Sequence, residues 1–369
     1  MRNPGSAAAQ RLARLRTRLA DRELDGLLVS HIPNLRYLTG FSGSSAWLLL
    51  DQDQAIFVTD GRYETQAQLE LPDEPGFEIL VLQERLIVGL AERIAHAFAG
   101  RRLGFEATHL AVDQWERLRD DDGAVDWCSA VGVVDELRAQ KDDGEIALIR
   151  KAAEIATAAL ADTLPLVQPG ARELDIAAEL DYRMRRHGAE GAAFATVVAS
   201  GERSALPHAA TSTRKIAEGD LLLIDFGARW RGYCSDLTRT FVLRQPDARQ
   251  REIYDLVLAA HEAACSALHE GALGSEVDAA ARGTFEAVGL EERFPHSTGH
   301  GLGLEVHERP RLGRHSEEPL HPGTVVTVEP GLYFPEWGGI RIEDDLVVTA
   351  EGATALVPLD KGRLRSLPL

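Results

Sequence analysis

Asp225 closes the apolar run LLLID, and Asp236 follows eleven residues later in YCSDLTRTF. A tight reversal centred on Trp230 and Arg231 would set these two carboxylates opposite each other on a hairpin. The pattern recurs downstream, where Glu329 closes TVVTVE and Glu343 follows fourteen residues later across a Gly- and Pro-rich reversal. Charge inside apolar strands costs several kcal/mol unless something compensates it. Facing carboxylates also repel, so either one of each pair keeps a proton or a cation lies between them. Exposed hairpin ends are the alternative, but both runs are apolar right up to the acid, which points the acids inward. Four carboxylates and one neutral imidazole make a ligand set for two divalent ions, with charges that balance. The imidazole is available in GHGLGLEVHE, where His300 and His307 stand seven residues apart. A helix would align the two rings, yet Gly299, Gly301 and Gly303 would each cost it roughly 1 kcal/mol. In an extended chain the rings are offset. Two ligands, a ligand and a catalyst, or two surface groups all remain open at this level. Cys234, two residues before Asp236, reads as a buried inert thiol, because an oxygen-rich site does not need thiolate.

The elements that would hold these groups follow from periodicity. GLLVS, AWLLL, AIFVT, FEILVL and VDWCSAVGVV read as strands, and ERLIVGLAERIAHAF and the stretch around DQWERLRD as helices. That is an α/β layer of its own, spanning residues 1–137. The charged stretch DELRAQKDDGE then leads into a long helix over 145–165, with Asp142 or Asp143 as its N-cap. Beyond it lies an α+β domain, 138–369, in which helices 145–165 and 173–187 precede strands FATVVAS, DLLLIDFG and TRTFVL. Helices 247–270 and 275–288 then precede strands around TVVTVEP and GIRIEDDLVVT. Two rounds of helix, helix, strand, strand imply two similar halves packed on a mostly antiparallel sheet.

At 369 residues the chain is long enough for two cores. Its 40 Lys and Arg against 58 Asp and Glu leave a net charge of -18, which disfavours nucleic acid as a partner. Three cysteines with no CxxC pair fit a reducing cytoplasm, and no apolar run approaches the roughly 20 residues that span a bilayer. The first twenty residues carry five arginines and no acid, as a transit peptide would. Leu12, Leu15 and Leu19 at helical spacing instead read as the first helix of the domain.

The motifs DFGARWRGYCSDLTRT, STGHGLGLEVHE, VEPG and GIRIED, in that order, resemble the pita-bread metallopeptidases, specifically the Xaa-Pro aminopeptidases and Xaa-Pro dipeptidases (prolidases). VVASGERSALPHA, NLRYLTGFSGSSAWLLL and TDGRY extend the resemblance over nearly the whole chain. It implies a creatinase-type α/β N-terminal domain, a pita-bread catalytic domain, a homodimer and two divalent ions, usually manganese, otherwise cobalt or zinc. Carried over position by position, it makes Asp225, Asp236, His300, Glu329 and Glu343 the metal ligands, with Asp236 and Glu343 bridging. It places His307 and His208 beside the substrate as donors or proton shuttles, and gives Glu329 a second role as proton acceptor. Arg341 would bind a substrate carboxylate or brace the acidic cluster. The glycines at 299, 301 and 303 would let backbone pass close to ions and substrate. The implied reaction is metal-assisted hydrolysis of the bond before a proline in second position. TGFSGS and TDGRY favour the aminopeptidase form, with the dipeptidase as alternative. Methionine aminopeptidase would lack the first domain and creatinase would not need the ligands. A binding module built on an inactive peptidase would be marked by missing ligands.

Overall fold

In the computed structural model of the chain, residues 4–71, 73, 76–82, 86–119 and 124–367 are described. They fall into two compact units, Met1–Arg138 and Ala139–Leu369.

In the first unit, α1 (Pro4–Asp21) buries Leu12, Leu15 and Leu19 completely, so the basic N-terminal stretch is a packed helix with its arginines on the other face. The strands are β1 (Gly26–Val29), β2 (Ala46–Asp51), β3 (Ala55–Asp60), β4 (Glu78–Leu82), β5 (Arg102–Phe105) and β6 (Asp126–Ser129). They form one sheet of order β4-β3-β2-β1-β5-β6. β1, β5 and β6 run parallel, while β2 pairs antiparallel with both β1 and β3. The central strands are apolar throughout because helices cover the sheet. These helices are α2 (Ile32–Thr39), α3 (Glu64–Glu70), α4 (Leu86–Ala97), α5 (Val112–Leu118) and α6 (Val133–Ala139). VDWCSAVGVV is therefore not one strand. Gly132 adopts φ +75° and ends the extended segment, after which Val133, Val134 and Leu137 lie buried at helical spacing in α6. The same helix takes in DELRA of the charged stretch at the domain boundary.

The second unit opens on α7 (Asp143–Thr163). The Asp142 carboxylate accepts from the Glu145 N–H at 2.9 Å while Glu145 accepts from the Asp142 N–H at 3.0 Å, a reciprocal cap. Next come α8 (Glu173–Arg186), β7 (Gly191–Ala192), β8 (Val197–Ser200), β9 (Leu221–Phe226), β10 (Ala228–Trp230), β11 (Tyr233–Cys234) and β12 (Leu237–Leu243). The second round holds α9 (Ala248–Ala267), α10 (Gly274–Glu286), β13 (Gly299–Gly301), β14 (Glu308–Leu312), β15 (Val325–Val328), β16 (Gly331–Phe334), β17 (Gly338–Arg341), β18 (Asp344–Thr349), β19 (Gly352–Ala355) and β20 (Arg365–Leu367). One main sheet runs β20-β12-β9-β8 and the other β14-β13-β15-β18-β19, beside two small sheets, β11-β10-β7 and β16-β17. α7 and α8 share an apolar core with the first sheet, and α9 and α10 with strands of the second. The two sheets meet where Thr238 and Glu343 form a β-bridge. DLLLIDFG and TRTFVL are strands as expected, whereas GIRIEDDLVVT splits into β17 and β18.

The register around the first acid pair differs from a simple hairpin. Asp225 lies opposite Thr238, not Asp236, because the chain between β9 and β12 makes its own short hairpin, β10–β11. That hairpin turns at Arg231 (φ +48°) and Gly232 (φ +84°), the positive-φ pair a type I′ turn needs. Gly227 stands at the crossover, where a Cβ would lie 1.8 Å from the Ser235 carbonyl oxygen.

Gly299 and Gly301 allow close strand packing. A Cβ on Gly299 would meet the Thr327 carbonyl oxygen at 1.9 Å, and one on Gly301 the Arg309 carbonyl oxygen at 2.1 Å. Gly299→Ala must push β13 off β15, at a cost of about 3 kcal/mol. The expected outcome is a clearly lower thermal unfolding midpoint, read by calorimetry on the metal-free protein.

Candidate metal centre

Five side chains from both sheets converge. Asp225 comes from the end of β9, Asp236 from the residue before β12, His300 from the middle of β13, Glu329 from just beyond β15 and Glu343 from just before β18. The register Val328↔Asp344 continues one step to set Glu329 against Glu343. Ligand atoms of Asp236, His300 and Glu343 lie within 4.8 Å of one another. His300 Nε2 is 3.5 Å from Glu329 Oε1 and 3.7 Å from Asp236 Oδ2. Asp225 joins through Arg341, whose Nη2 donates to its Oδ2 at 2.6 Å.

The electrostatics are those of a site short of positive charge. Burial, then the charges of Glu343, Asp225, Asp345 and Glu329, hold the Asp236 carboxyl far above the usual carboxylate range. Burial and Glu343 do the same to Glu329, against the pull of Arg341. Burial raises Asp225 as well, although Arg341 opposes it, and carries Glu343 up to about 7 with help from Asp225. His300 is pushed down to about 4 by burial and is neutral at pH 7. Its Nδ1 lies 3.0 Å from the Gly301 carbonyl oxygen, which can only accept, so Nδ1 carries the proton. The Nε2 lone pair therefore faces carboxylate oxygens, acceptor against acceptors. Asp225 Oδ1 is buried and accepts no hydrogen bond. A free imidazole lone pair, a buried carboxylate oxygen with no donor and a cluster of carboxyls that resist ionisation are together what bound dications would resolve, so the residues fit a divalent metal centre.

The surroundings hold these groups in place. Thr238 Oγ1 donates to Glu343 Oε2 at 2.6 Å, and the Asp236 N–H donates to Asp345 Oδ2 at 3.1 Å. Arg239, buried, donates from Nη1 to the carbonyl oxygens of Thr238 and Glu343, from Nη2 to Asp344 Oδ1 and the Leu359 carbonyl, and from Nε to the Asp360 carbonyl. Arg341 donates from Nε to Thr238 Oγ1 and from Nη1 to Tyr333 OH and the Pro207 carbonyl. His296 Nδ1 faces the Ser297 carbonyl, so its Nε2 accepts from Tyr333 OH at 2.8 Å, and Tyr333 OH in turn accepts from Arg341. Arg341 thus braces Asp225 with its fork committed. The expectation that it grips a substrate carboxylate gives way to this partner role.

His307 and His208 are exposed. The His307 ring centroid lies 4.3 Å from that of His300 without joining the ligand trio. Both rings lie near enough to Asp225 to stabilise its charge. Burial, then the nearby Arg311 and His208, press His307 below its usual value. Cys234 is buried, its thiol pushed up to about 12 by burial.

Several residues of the site escaped the sequence reading. Asp345 was visible as the third acid of IEDD. Arg311 was not, since only the β13–β14 register sets it directly opposite His300, on the same face. It is exposed, and among the described residues its guanidinium has no ion-pair partner.

Residues 147–350 match the model of metallopeptidase family M24, and residues 11–140 that of the creatinase/prolidase N-terminal domain. The chain belongs to metallopeptidase family M24. It is a hydrolase with a creatinase-type N-terminal domain and a pita-bread catalytic domain. The Xaa-Pro dipeptidase of Pyrococcus furiosus is 35% identical over 95% of this chain and 99% of its own. Among solved structures, the Xaa-Pro dipeptidase from Bacillus anthracis is 38% identical with a TM-score of 0.91, covering 98% of this chain and all of that one. The X-Pro aminopeptidase from Thermotoga maritima MSB8 is 34% identical with a TM-score of 0.86, covering 97% of this chain and all of that one.

The carboxyl shifts set a pH signature for the metal-free metallopeptidase. Glu343, raised from 4.5 to about 7, contributes stability that is complete below its unfolded value and is lost as pH rises through its folded value. Thermal unfolding in chelator should therefore give a midpoint that falls between pH 4.5 and about 7. Added manganese should restore stability most at the upper end, where the carboxylates are ionised.

Proposed function

We propose that this metallopeptidase is an Xaa-Pro dipeptidase whose five ligands are Asp225, Asp236, His300, Glu329 and Glu343. Asp236, Glu343 and His300 would form the centre of the site that holds two ions, with Asp225 and Glu329 as the further ligands. Oxygen-rich donors with one imidazole suit manganese, with cobalt or zinc as substitutes. When bound, the ions supply a Lewis acid and a water of lowered pKa.

The chain's own groups do the rest. Glu329, beside His300 at the cluster, would take the proton of the attacking water on its carboxylate oxygen. The substrate's α-amino group approaches Asp225, held in aim by Arg341. An internal peptide bond offers no such amine, which restricts the enzyme to chain ends. His307 and His208, on the open side, donate hydrogen bonds to the developing oxyanion, and the proton taken by Glu329 passes on to the leaving proline nitrogen. That nitrogen has no N–H before cleavage, so it must be protonated to leave as the amine.

The observation that carries the dipeptidase reading is Arg311. An exposed cation opposite His300 suits the free carboxylate of the second residue, which a dipeptide presents there and a longer peptide does not. Two relatives named Xaa-Pro dipeptidase, at 35% identity over more than nine tenths of the chain, point the same way. They outweigh the inclination towards an aminopeptidase that TGFSGS and TDGRY suggested. The aminopeptidase remains the second reading through the Thermotoga maritima structure.

Hydrolysis of an Xaa-Pro dipeptide and of an Xaa-Pro-Xaa tripeptide, each with manganese and with chelator, separates the two. The dipeptide should be turned over at least tenfold faster, and chelator should abolish both. Preference for the tripeptide would return the aminopeptidase. Arg311→Ala should raise KM for the dipeptide by about tenfold or more and leave the tripeptide nearly unchanged. His300→Ala should lose bound metal and turnover together, whereas His307→Ala should keep most of its metal and lose at least about a hundredfold in kcat.

A further inference from the structure

We propose that the first unit carries a second metal site of a different kind, formed by His31, His109 and Asp135 and suited to zinc or a similar late first-row ion. One ligand atom from each lies within 4.8 Å of the others. The three have a common topological origin. β1, β5 and β6 are parallel neighbours, so their C-terminal ends share one edge of the sheet. His31 stands two residues beyond β1, His109 four beyond β5, and Asp135 six beyond β6, in the first turn of α6. β1 and β5 also flank the point where the strand order reverses, since the chain fills β2 to β4 on one side before crossing to β5. In open α/β sheets that crevice is where ligands bind.

The site is built from beneath by buried polar groups. Glu106, 5% exposed, accepts from the Ser30 N–H at 2.6 Å, the His31 N–H at 2.7 Å and Asn34 Nδ2 at 2.7 Å. Asn34 Oδ1 accepts from Arg138 Nη1 at 2.6 Å, and Arg138 reaches Asp135 Oδ1 at 3.6 Å. Glu106 is three residues before His109, and Arg138 is three after Asp135. One network therefore fixes the backbone or neighbours of all three ligands, which is how outer groups aim metal ligands. The two imidazoles stack with centroids 3.6 Å apart and planes 9° from parallel. Rotation about their χ2 angles, which are broad torsions, fans this pair into a chelate.

The donor chemistry separates this site from the catalytic one. Two imidazoles and one carboxylate suit zinc, nickel or copper, with water completing the shell on the exposed side of His109. The catalytic set, four carboxylates to one imidazole, suits manganese. Glu106 and Asp135 against Arg138 leave the crevice one negative charge, which also favours a cation. A bound ion would tie together the ends of β1, β5 and α6.

The test is zinc uptake by the manganese-loaded enzyme, dialysed against Zn2+ and counted by mass spectrometry of the metals, with zinc-edge X-ray absorption on the same samples. Wild type should hold about one zinc per chain more than His109→Ala or His31→Gln, with two-imidazole scattering that both variants lose. Asp135→Asn should bind that zinc at least tenfold more weakly. His109 is exposed, so its variant should keep the circular dichroism and dipeptide turnover of wild type, which separates this outcome from a folding defect. Zinc that enters the catalytic centre counts equally in all samples and cancels in the difference. Equal zinc in wild type and both histidine variants would overturn the proposal, and the reading of the catalytic site would stand untouched.

Discussion

Mutual repulsion among four inward carboxylates is the constraint on which the catalytic unit depends. Packing alone does not hold like charges together, because burial deprives each of water while the others penalise its ionisation. The fold meets this by distributing the acids over strand ends of two sheets and joining the sheets at the Thr238–Glu343 bridge, beside the cluster. The helices α7 to α10 pack on these sheets and supply the apolar interior that stiffens the strands. A metal-free chain is then a frame under electrostatic load, and binding of dications is coupled to its stability.

The braces around the acids have direction. A carbonyl accepts only, so Ser297 fixes which nitrogen of His296 holds the proton, and this sets Tyr333 OH as donor to His296 and acceptor from Arg341. Burial pushes His296 down to about 3 and Tyr333 up to about 12, so neither changes charge across the neutral range. Arg341 consequently presents the same fork to Asp225 across the neutral range. Asp225 is thus positioned by partners that do not themselves titrate across the neutral range.

Much of this was legible in the sequence wherever the signal is local. Asp142 and Glu145 spell a cap, the leucines of α1 spell a buried stripe, and LLLID and VVTVE announce acids that point inward. What stayed hidden depends on pairing between distant segments. Asp225 and Asp236 look like partners across one turn, yet the intervening β10–β11 hairpin shifts Asp225 onto Thr238. Arg311 looks like any surface arginine until β14 lies against β13. Arg341 two residues before Glu343 could face substrate or cluster, and only the positions of Tyr333, Thr238 and Asp225 decide. The failure at Val133 and Val134 is of another sort: β-branched residues after a glycine suit a strand, and tertiary burial on a helix face overrode that preference.

Arg239 shows how far the frame of the site extends along the chain. Its guanidinium holds the Glu343 carbonyl on one side and the Leu359 and Asp360 carbonyls on the other. Lys361 adds a contact to Asp344, and its own carbonyl accepts from Tyr254 OH. A segment that supplies none of the proposed ligands is thereby a strut for one of them. Clipping the chain between Val357 and Lys361 would part this strut from β20, which pairs with β12, so trimming at this end would loosen the first sheet and the Glu343 backbone together.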